Sequence, residues 1–119
     1  LTNSLGKAVE ISQDEWFNDA KDLIYQWFVY LQKQDTQAFI YVQKKLVKSF
    51  KEKTQQFTGL SVLMFYYQEA QRQAVANGEY GKVKQINQII ERILIAEQKL
   101  RSNVSFQAVA EQFVLHTIF

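Results

Sequence analysis

The sequence lacks cysteine and proline altogether, and its 119 residues include only four glycines and a single histidine. Without cysteine the chain has no disulfide framework, no thiolate nucleophile and no cysteine-based zinc site. Because proline is absent and glycine is rare, few positions favour a tight turn or break a helix. No apolar run approaches the roughly 18 residues that a membrane span requires, so we expect a soluble chain with no membrane contact.

The composition that remains is that of a folded domain. Hydrophobic residues make up 47% of the chain, charged residues make up 22%, and the formal net charge is +2. Too many residues are hydrophobic, and the net charge is too small, for an intrinsically disordered chain. A chain of this size buries on the order of two-thirds of its unfolded surface, which suffices for one core. We therefore expect a single domain over 1–119, and the first residue, Leu1, suggests a fragment or a trimmed product.

Apolar residues recur at the three- and four-residue spacing of amphipathic helices. The longest stripe runs from Trp16 to Leu31, and Ser12 with Glu15 predicts its start as a capping box. The remaining helices are predicted over 5–11, 39–50, 57–74, 83–100 and 106–116. The pattern predicts an all-α fold, a compact bundle of five to six helices.

Several short segments mark the expected helix boundaries. Asp35 and Thr36 are candidate caps for the second long helix, and Ser105 is the candidate cap of the last one. Asn77 and Gly78 suit a left-handed stop after the third helix, because both residue types tolerate that conformation.

Five large apolar side chains lie away from the main stripe of their helices: Val29, Tyr30, Phe65, Tyr66 and Ile95. A helix that is apolar on two sides either lies centrally in a bundle or contacts another protein. Both interpretations stay open at this point, a well-filled core or a partner surface. We treat the five residues as candidate contacts with a partner.

Residues suited to catalysis or metal binding are sparse. His116 is the only imidazole, and it has no nucleophile or carboxylate at a neighbouring helical position, so we expect a surface or boundary histidine. Asp19 and Asp22 are neighbours on the first long helix, where a solvated polar face is the usual explanation. Gly78 and Gly81 are not followed by Lys-Ser or Lys-Thr, so there is no phosphate-binding loop. We expect no catalytic residue, no metal site, no cofactor and no enzymatic activity in this domain.

A basic cluster offers a second interpretation, because five lysines fall between Lys44 and Lys53 and are opposed only by Glu52. On a helix, Lys44, Lys48 and Lys51 share one face and Lys45 lies alongside, so these four are candidate phosphate contacts. Binding through phosphates would depend on salt and not on base sequence. The alternative is a solvated polar face opposite the apolar stripe, since the cluster contains no arginine for bidentate contacts.

Residues 90–115 resemble the C-terminal end of bacterial DNA polymerase III delta-prime subunits, which are clamp-loader subunits. The resemblance rests on the break Ser102-Asn103-Val104-Ser105 between two helices and on the ending Ala110-Glu111-Gln112-Phe113-Val114-Leu115. Upstream the match is looser, because the aromatic-rich helix reads Phe65-Tyr66-Tyr67-Gln68-Glu69 where the family commonly has Trp-x-Arg-Asp. The gamma/tau relatives share the same general ending.

The resemblance implies a role in subunit assembly. In this family the N-terminal part is an ATPase-type module with zinc-binding cysteines, which this chain lacks, and a C-terminal helical domain joins its neighbours in a pentameric collar. This chain would be the collar domain, with the delta and gamma/tau subunits as partners and DNA contacted only indirectly through the assembly. The location implied is the bacterial cytoplasm, at the replication fork. The five off-stripe residues then become candidate subunit contacts.

Overall fold

The computed structural model describes the backbone of residues 2–119 and the side chains of residues 15–119. Over that backbone the chain is all-α, with five helices and no strand, so the predicted fold class is confirmed. The helices are α1 (Thr2–Gln32), α2 (residues 37–49), α3 (Lys53–Ala76), α4 (Tyr80–Arg101) and α5 (Phe106–Ile118). Across the described part of the chain, none of these helices combines the length and the apolar character that crossing a bilayer demands.

Helix α1 begins earlier than the sequence pattern predicts. The backbone is helical from Thr2 onward, so the separate helix expected over 5–11 and the start expected at Ser12 are both wrong. No helix-breaking residue separates the two segments. In one continuous helix, the backbone N–H groups after Ser12 donate to carbonyls of the preceding turn, so they need no cap. The predicted apolar face of the second half is confirmed, since Ile24, Trp27 and Leu31 are buried.

Helix α2 contains one π-helical turn, at Val42–Leu46. The Val47 N–H donates to the Val42 carbonyl, five residues back. The buried positions of this segment recur every four residues, at Ala38, Val42, Leu46 and Phe50. Each four-residue step overshoots one face of an ideal α-helix by about 40°. The wider turn takes up that excess and helps to keep the four side chains directed at the core.

Helices α3 and α4 form an antiparallel hairpin around the predicted stop. Gly78 adopts a φ of 71°, and the Glu79 N–H donates to the Ala74 carbonyl at 2.9 Å. The left-handed end predicted at Asn77-Gly78 is therefore confirmed. Between residues 71 and 88 only Ala74 and Ile86 are buried, so this end of the hairpin has little contact with the other helices.

Helix α5 follows a short break and packs against α4, α2 and α1. The Ser105 hydroxyl accepts a hydrogen bond from the Ala108 N–H at 3.2 Å, which confirms the predicted N-cap. This cap fixes where α5 starts and so where its apolar face meets the core.

Aromatic side chains join the helices at the centre of the bundle. Trp27 of α1 is fully buried, its ring lies 5.8 Å from that of Phe113 of α5, and its indole N–H donates to the Ala38 carbonyl at 3.2 Å. Phe50 lies 5.6 Å from Trp16 and 5.9 Å from Phe106, measured between ring centroids. One continuous core therefore links the first and last helices of the chain.

Candidate protein interface

An aromatic groove lies between α1 and α3. We call it the α1–α3 groove, and its lining residues are Phe17, Lys21, Phe57, Thr58, Ser61, Val62, Phe65 and Tyr66. The Phe65 side chain is 56% exposed and that of Phe17 is 41% exposed, which is unusual for phenylalanine in a folded domain. The Lys21 ammonium lies 5.1 Å from the centroid of the Phe17 ring. Exposed aromatics grouped around a concave surface are typical of a protein-interaction site.

Tyr66 lies at the edge of this groove but is held by the protein itself. Its hydroxyl donates to the Lys21 carbonyl at 3.2 Å, and its ring lies 5.3 Å from that of Tyr25 and 5.6 Å from that of Phe28. Burial raises the pKa of Tyr66, and the nearby Asp22 and Tyr25 raise it further. Tyr66 therefore ties α3 to α1, and Phe65 is the more available of the two for a partner.

Val29 and Tyr30 are half-buried at the junction of α1 and α2. The Tyr30 ring meets the Tyr41 ring edge-on, with 5.6 Å between centroids. The Tyr41 hydroxyl donates to the Leu23 carbonyl at 2.9 Å. Much of the off-stripe apolar surface on α1 thus packs within the bundle, which leaves less of it for a partner.

Ile95 is 49% exposed and lies in a different groove, between α4 and α5. This α4–α5 groove is lined by Arg92, Ile95, Ala96, Lys99, Val109, Gln112, Phe113 and His116. It shares no lining residue with the α1–α3 groove. The five candidate residues therefore do not form one continuous patch, and any contacts they make involve at least two surfaces.

The lysine cluster is exposed but not isolated from negative charge. Lys51 lies beyond the end of α2 at residue 49, so it does not continue the helical face of Lys44 and Lys48 that the sequence predicts. Lys44, Lys45, Lys48 and Lys51 are all exposed to solvent. Lys48 and Lys51, however, line a depression between α1 and α2 together with Asp19 and Asp22. Two carboxylates beside two of the four lysines lower the positive potential that a phosphate backbone would meet.

Asp19 and Asp22 lie on a solvated face of α1. The depression that they share with Lys48 and Lys51 is open to solvent, and both carboxylates are exposed. Among the side chains of residues 15–119, no three acidic or histidine groups come close enough to hold a metal ion.

Sequence reasoning did not single out Arg92 and Lys99. The two residues are seven positions apart on α4 and so lie on the same face as Ile95, and they meet His116 of α5 across the groove. His116 is exposed, as expected for a surface histidine. The seven-residue spacing was visible in the sequence, but the approach of His116 depends on how α5 packs against α4.

Comparisons with known proteins bear on the family. A curated bacterial protein aligns with 97% of this chain at 28% identity over 132 aligned positions. The chain is similar to DNA polymerase III subunit delta' of Bacillus subtilis (strain 168). The resemblance predicted from residues 90–115 is therefore confirmed, and it extends over nearly the whole chain. The chain spans about 40% of the length of this delta' subunit. No family model and no solved structure matches the chain.

Proposed function

We propose that the chain is the C-terminal collar domain of a delta-prime-type clamp-loader subunit, and that it holds this subunit in the assembly. The likeness to the delta' subunit over 97% of the chain supports this role, as does the all-α fold that a collar domain would have. The partners are the delta and gamma/tau subunits, and the site of action is the cytoplasm. The collar contributes indirectly to ATP-dependent loading of the sliding clamp during DNA replication, by positioning ATPase modules that lie elsewhere.

The α1–α3 groove is the observation that carries the proposal. Phe17 and Phe65 keep 41% and 56% of their surface exposed beside a largely apolar wall. Aromatic side chains supply much of the contact area and many of the energetic anchors of protein interfaces. Because Tyr66 already fixes α3 to α1, the groove is preformed, and a partner that fills it orders few additional side chains.

Assembly is tested by mixing this chain with the C-terminal domains of the other clamp-loader subunits of the same source. Light scattering reports the mass of any complex, and we expect a defined hetero-oligomer. Phe65→Glu should weaken that complex by roughly tenfold or more, because it places a charge in an apolar contact. Helicity should not change, since the Phe65 side chain is 56% exposed.

Tyr80→Glu is the matched control, because Tyr80 is an aromatic residue that is 71% exposed and lies outside the groove. It should leave assembly almost unchanged. A wild-type chain that stays monomeric beside folded partners would refute the assembly role. Loss of helicity in Phe65→Glu would show instead that Phe65 belongs to the core.

A second candidate function, binding of nucleic acid by the lysines of α2 and of the segment just after it, is favoured by the exposure of Lys44, Lys45, Lys48 and Lys51. Fluorescence anisotropy with a labelled DNA duplex at increasing salt tests it. The collar role predicts weak retention, since Asp19 and Asp22 line the same depression as Lys48 and Lys51. Tight, steeply salt-dependent binding that Lys44→Glu/Lys45→Glu abolishes would favour the nucleic-acid function.

A further inference from the structure

The α4–α5 groove has an unbalanced charge. Arg92, Lys99 and His116 line it, and none of its eight lining residues is acidic. The ion pairs among the side chains of residues 15–119 are Arg72 with Glu69 and Lys82 with Glu79, both elsewhere. The Lys99 ammonium donates to the Gln112 amide oxygen, which is a neutral partner. The Arg92 and Lys99 side chains form no ion pair with a carboxylate of residues 15–119, and such cations favour an anionic ligand from outside.

The floor of the groove is apolar, and its volume is small. Ala96, Val109 and Phe113 are buried beneath it, and Ile95 is 49% exposed at its edge. The enclosed volume is about 120 Å³. Pockets for small molecules and cofactors usually enclose about 300–1,000 Å³, so this groove is too small for a nucleotide and suits side chains that another protein presents. The occupant must therefore offer both a carboxylate and an apolar group in a small space.

We propose that the α4–α5 groove receives an acidic amphipathic helix of a neighbouring subunit. Carboxylates of that helix pair with Arg92 and Lys99, and an aliphatic side chain between them packs on Ile95. The groove between two packed helices is a surface on which the ridge of a third helix fits. This inference rests on the proposed collar function, and it specifies the chemistry of one neighbour.

The spacing along α4 restricts the sequence of the partner helix. Arg92 and Lys99 are seven residues apart, about 10.5 Å along the axis at 1.5 Å per residue. A partner helix that runs alongside α4 matches them with acidic residues at positions i and i+7. An apolar residue at i+3 or i+4 then lies opposite Ile95. The expected partner sequence is therefore a helix with two acidic residues two turns apart and an aliphatic residue between them.

A nucleic-acid phosphate fits the same groove less well. A phosphate backbone would leave the exposed Ile95 side chain against a hydrated polyanion, where it gains no apolar contact. An amphipathic protein helix covers the isoleucine and the cations together. DNA binding at this groove is accordingly an outcome that the experiment must distinguish.

The α4–α5 groove gives the domain a second contact surface, in addition to the α1–α3 groove. Subunits that follow one another around a ring use two different surfaces, one toward each neighbour. The two grooves share no residue, and their chemistry differs, since one is aromatic and the other is cationic. A neighbour that fits one groove would therefore not fit the other equally well.

The substitution Ile95→Glu tests the inference, and Leu94→Glu is its control. The two residues are 49% and 48% exposed on the same helix, but only Ile95 lines the groove. The new carboxylate would lie three residues after Arg92 and four before Lys99, within reach of both, so it would occupy the place of the partner's carboxylate. Affinity for the neighbouring collar domain, measured by calorimetry, should fall by roughly tenfold or more. Leu94→Glu should change it by less than about twofold.

A charge-reversal pair separates specific recognition from general electrostatics. Arg92→Glu/Lys99→Glu and Lys44→Glu/Lys48→Glu change the net charge equally, and we expect only the first to abolish binding. Equal losses in both variants would overturn the inference. So would release of labelled duplex DNA by Arg92→Glu/Lys99→Glu with subunit assembly unchanged, because the groove would then bind phosphate.

The failure of this inference differs from the failure of the proposed function. If no collar domain binds the wild-type chain, both fail. If Phe65→Glu weakens assembly while Ile95→Glu and Arg92→Glu/Lys99→Glu leave it intact, the collar role stands and the α4–α5 groove is not an interface. Circular dichroism checks the fold of each variant, and Arg92→Ala/Lys99→Ala decides the question if a glutamate variant unfolds.

Discussion

Trp27 is the side chain whose truncation should damage the domain most. It is fully buried, its ring contacts Phe113 on the last helix, and its indole N–H donates to the Ala38 carbonyl. Trp27→Ala removes both contacts and leaves a cavity that the surrounding helices fill only in part. Substitutions of this kind cost roughly 3–5 kcal/mol, a large share of the 5–15 kcal/mol that stabilises a typical domain. Urea denaturation followed by circular dichroism measures this loss.

Trp27→Phe divides the loss between packing and hydrogen bonding. Phenylalanine keeps most of the buried ring but has no N–H group. The Ala38 carbonyl also accepts from the Val42 N–H, so the substitution leaves it with a partner. We therefore expect Trp27→Phe to cost about 1–2 kcal/mol, well below the loss for alanine. Tyr80→Ala, at a side chain that is 71% exposed, is the surface control. An alanine variant that loses less than about 1 kcal/mol would refute the assignment of Trp27 to the core.

Two further predictions concern a glycine and a tyrosine. A Cβ atom at Gly59 would lie 3.0 Å from the buried Phe50 ring, so Gly59→Ala should lower the free energy of unfolding by about 1 kcal/mol. Gly81 has open space around it, so Gly81→Ala should raise the free energy of unfolding by up to about 0.5 kcal/mol. The same urea titrations measure both changes. Burial, with Tyr30 alongside, raises the pKa of Tyr41 from 10.0 to about 12. Since the folded state holds this proton more tightly, the contribution of Tyr41 to stability is complete below pH 10 and lost as the pH rises to about 12. Tyr41→Phe should make stability fall less steeply across that range, and an unchanged slope would contradict the assignment.

The helical class and most helix faces were predictable because the apolar spacing is regular. Ile24, Trp27 and Leu31 follow the helical repeat and are buried together. The left-handed stop at Gly78 was predictable too, since few residues other than glycine and asparagine adopt a positive φ without strain. These features depend on residues close to one another in the chain, so the sequence alone suffices to locate them.

The start of α1 and the π-helical turn of α2 were not predictable from local pattern. A serine followed by a glutamate three residues later suits a helix interior as well as a cap, and only the preceding backbone decides between the two. The four-residue spacing of Val42, Leu46 and Phe50 did not indicate an underwound helix, because an α-helix tolerates that spacing over two turns. The π-helical turn depends on packing, because it lets four side chains of this segment reach the core together: Ala38, Val42, Leu46 and Phe50.

The candidate contact residues show how tertiary packing distinguishes side chains that helical position alone does not. Tyr30 and Tyr66 pack on other tyrosines of the same bundle, whereas Phe65 and Ile95 remain about half exposed. All of these residues lie off the main stripe of their helix, so helical position alone did not distinguish them. What differs is whether a neighbouring helix presents an aromatic ring to the residue, and that depends on how distant segments of the chain pack together.

Charge density along the chain is a poor guide to the surface potential of this domain. The densest lysine run begins on α2 and continues past its end, and Asp19 and Asp22 of α1 line the same depression as Lys48 and Lys51, so two carboxylates lie near this run. Arg92, Lys99 and His116 are scattered over 25 residues of sequence, yet they converge on one groove with no acidic residue in its lining. An anionic partner responds to the local potential within about 10 Å, the screening length at moderate salt, and not to the order of residues. Under the proposed function, Arg92 and Lys99 are therefore better candidates for recognition than the lysine run, although that run is the more conspicuous feature of the sequence.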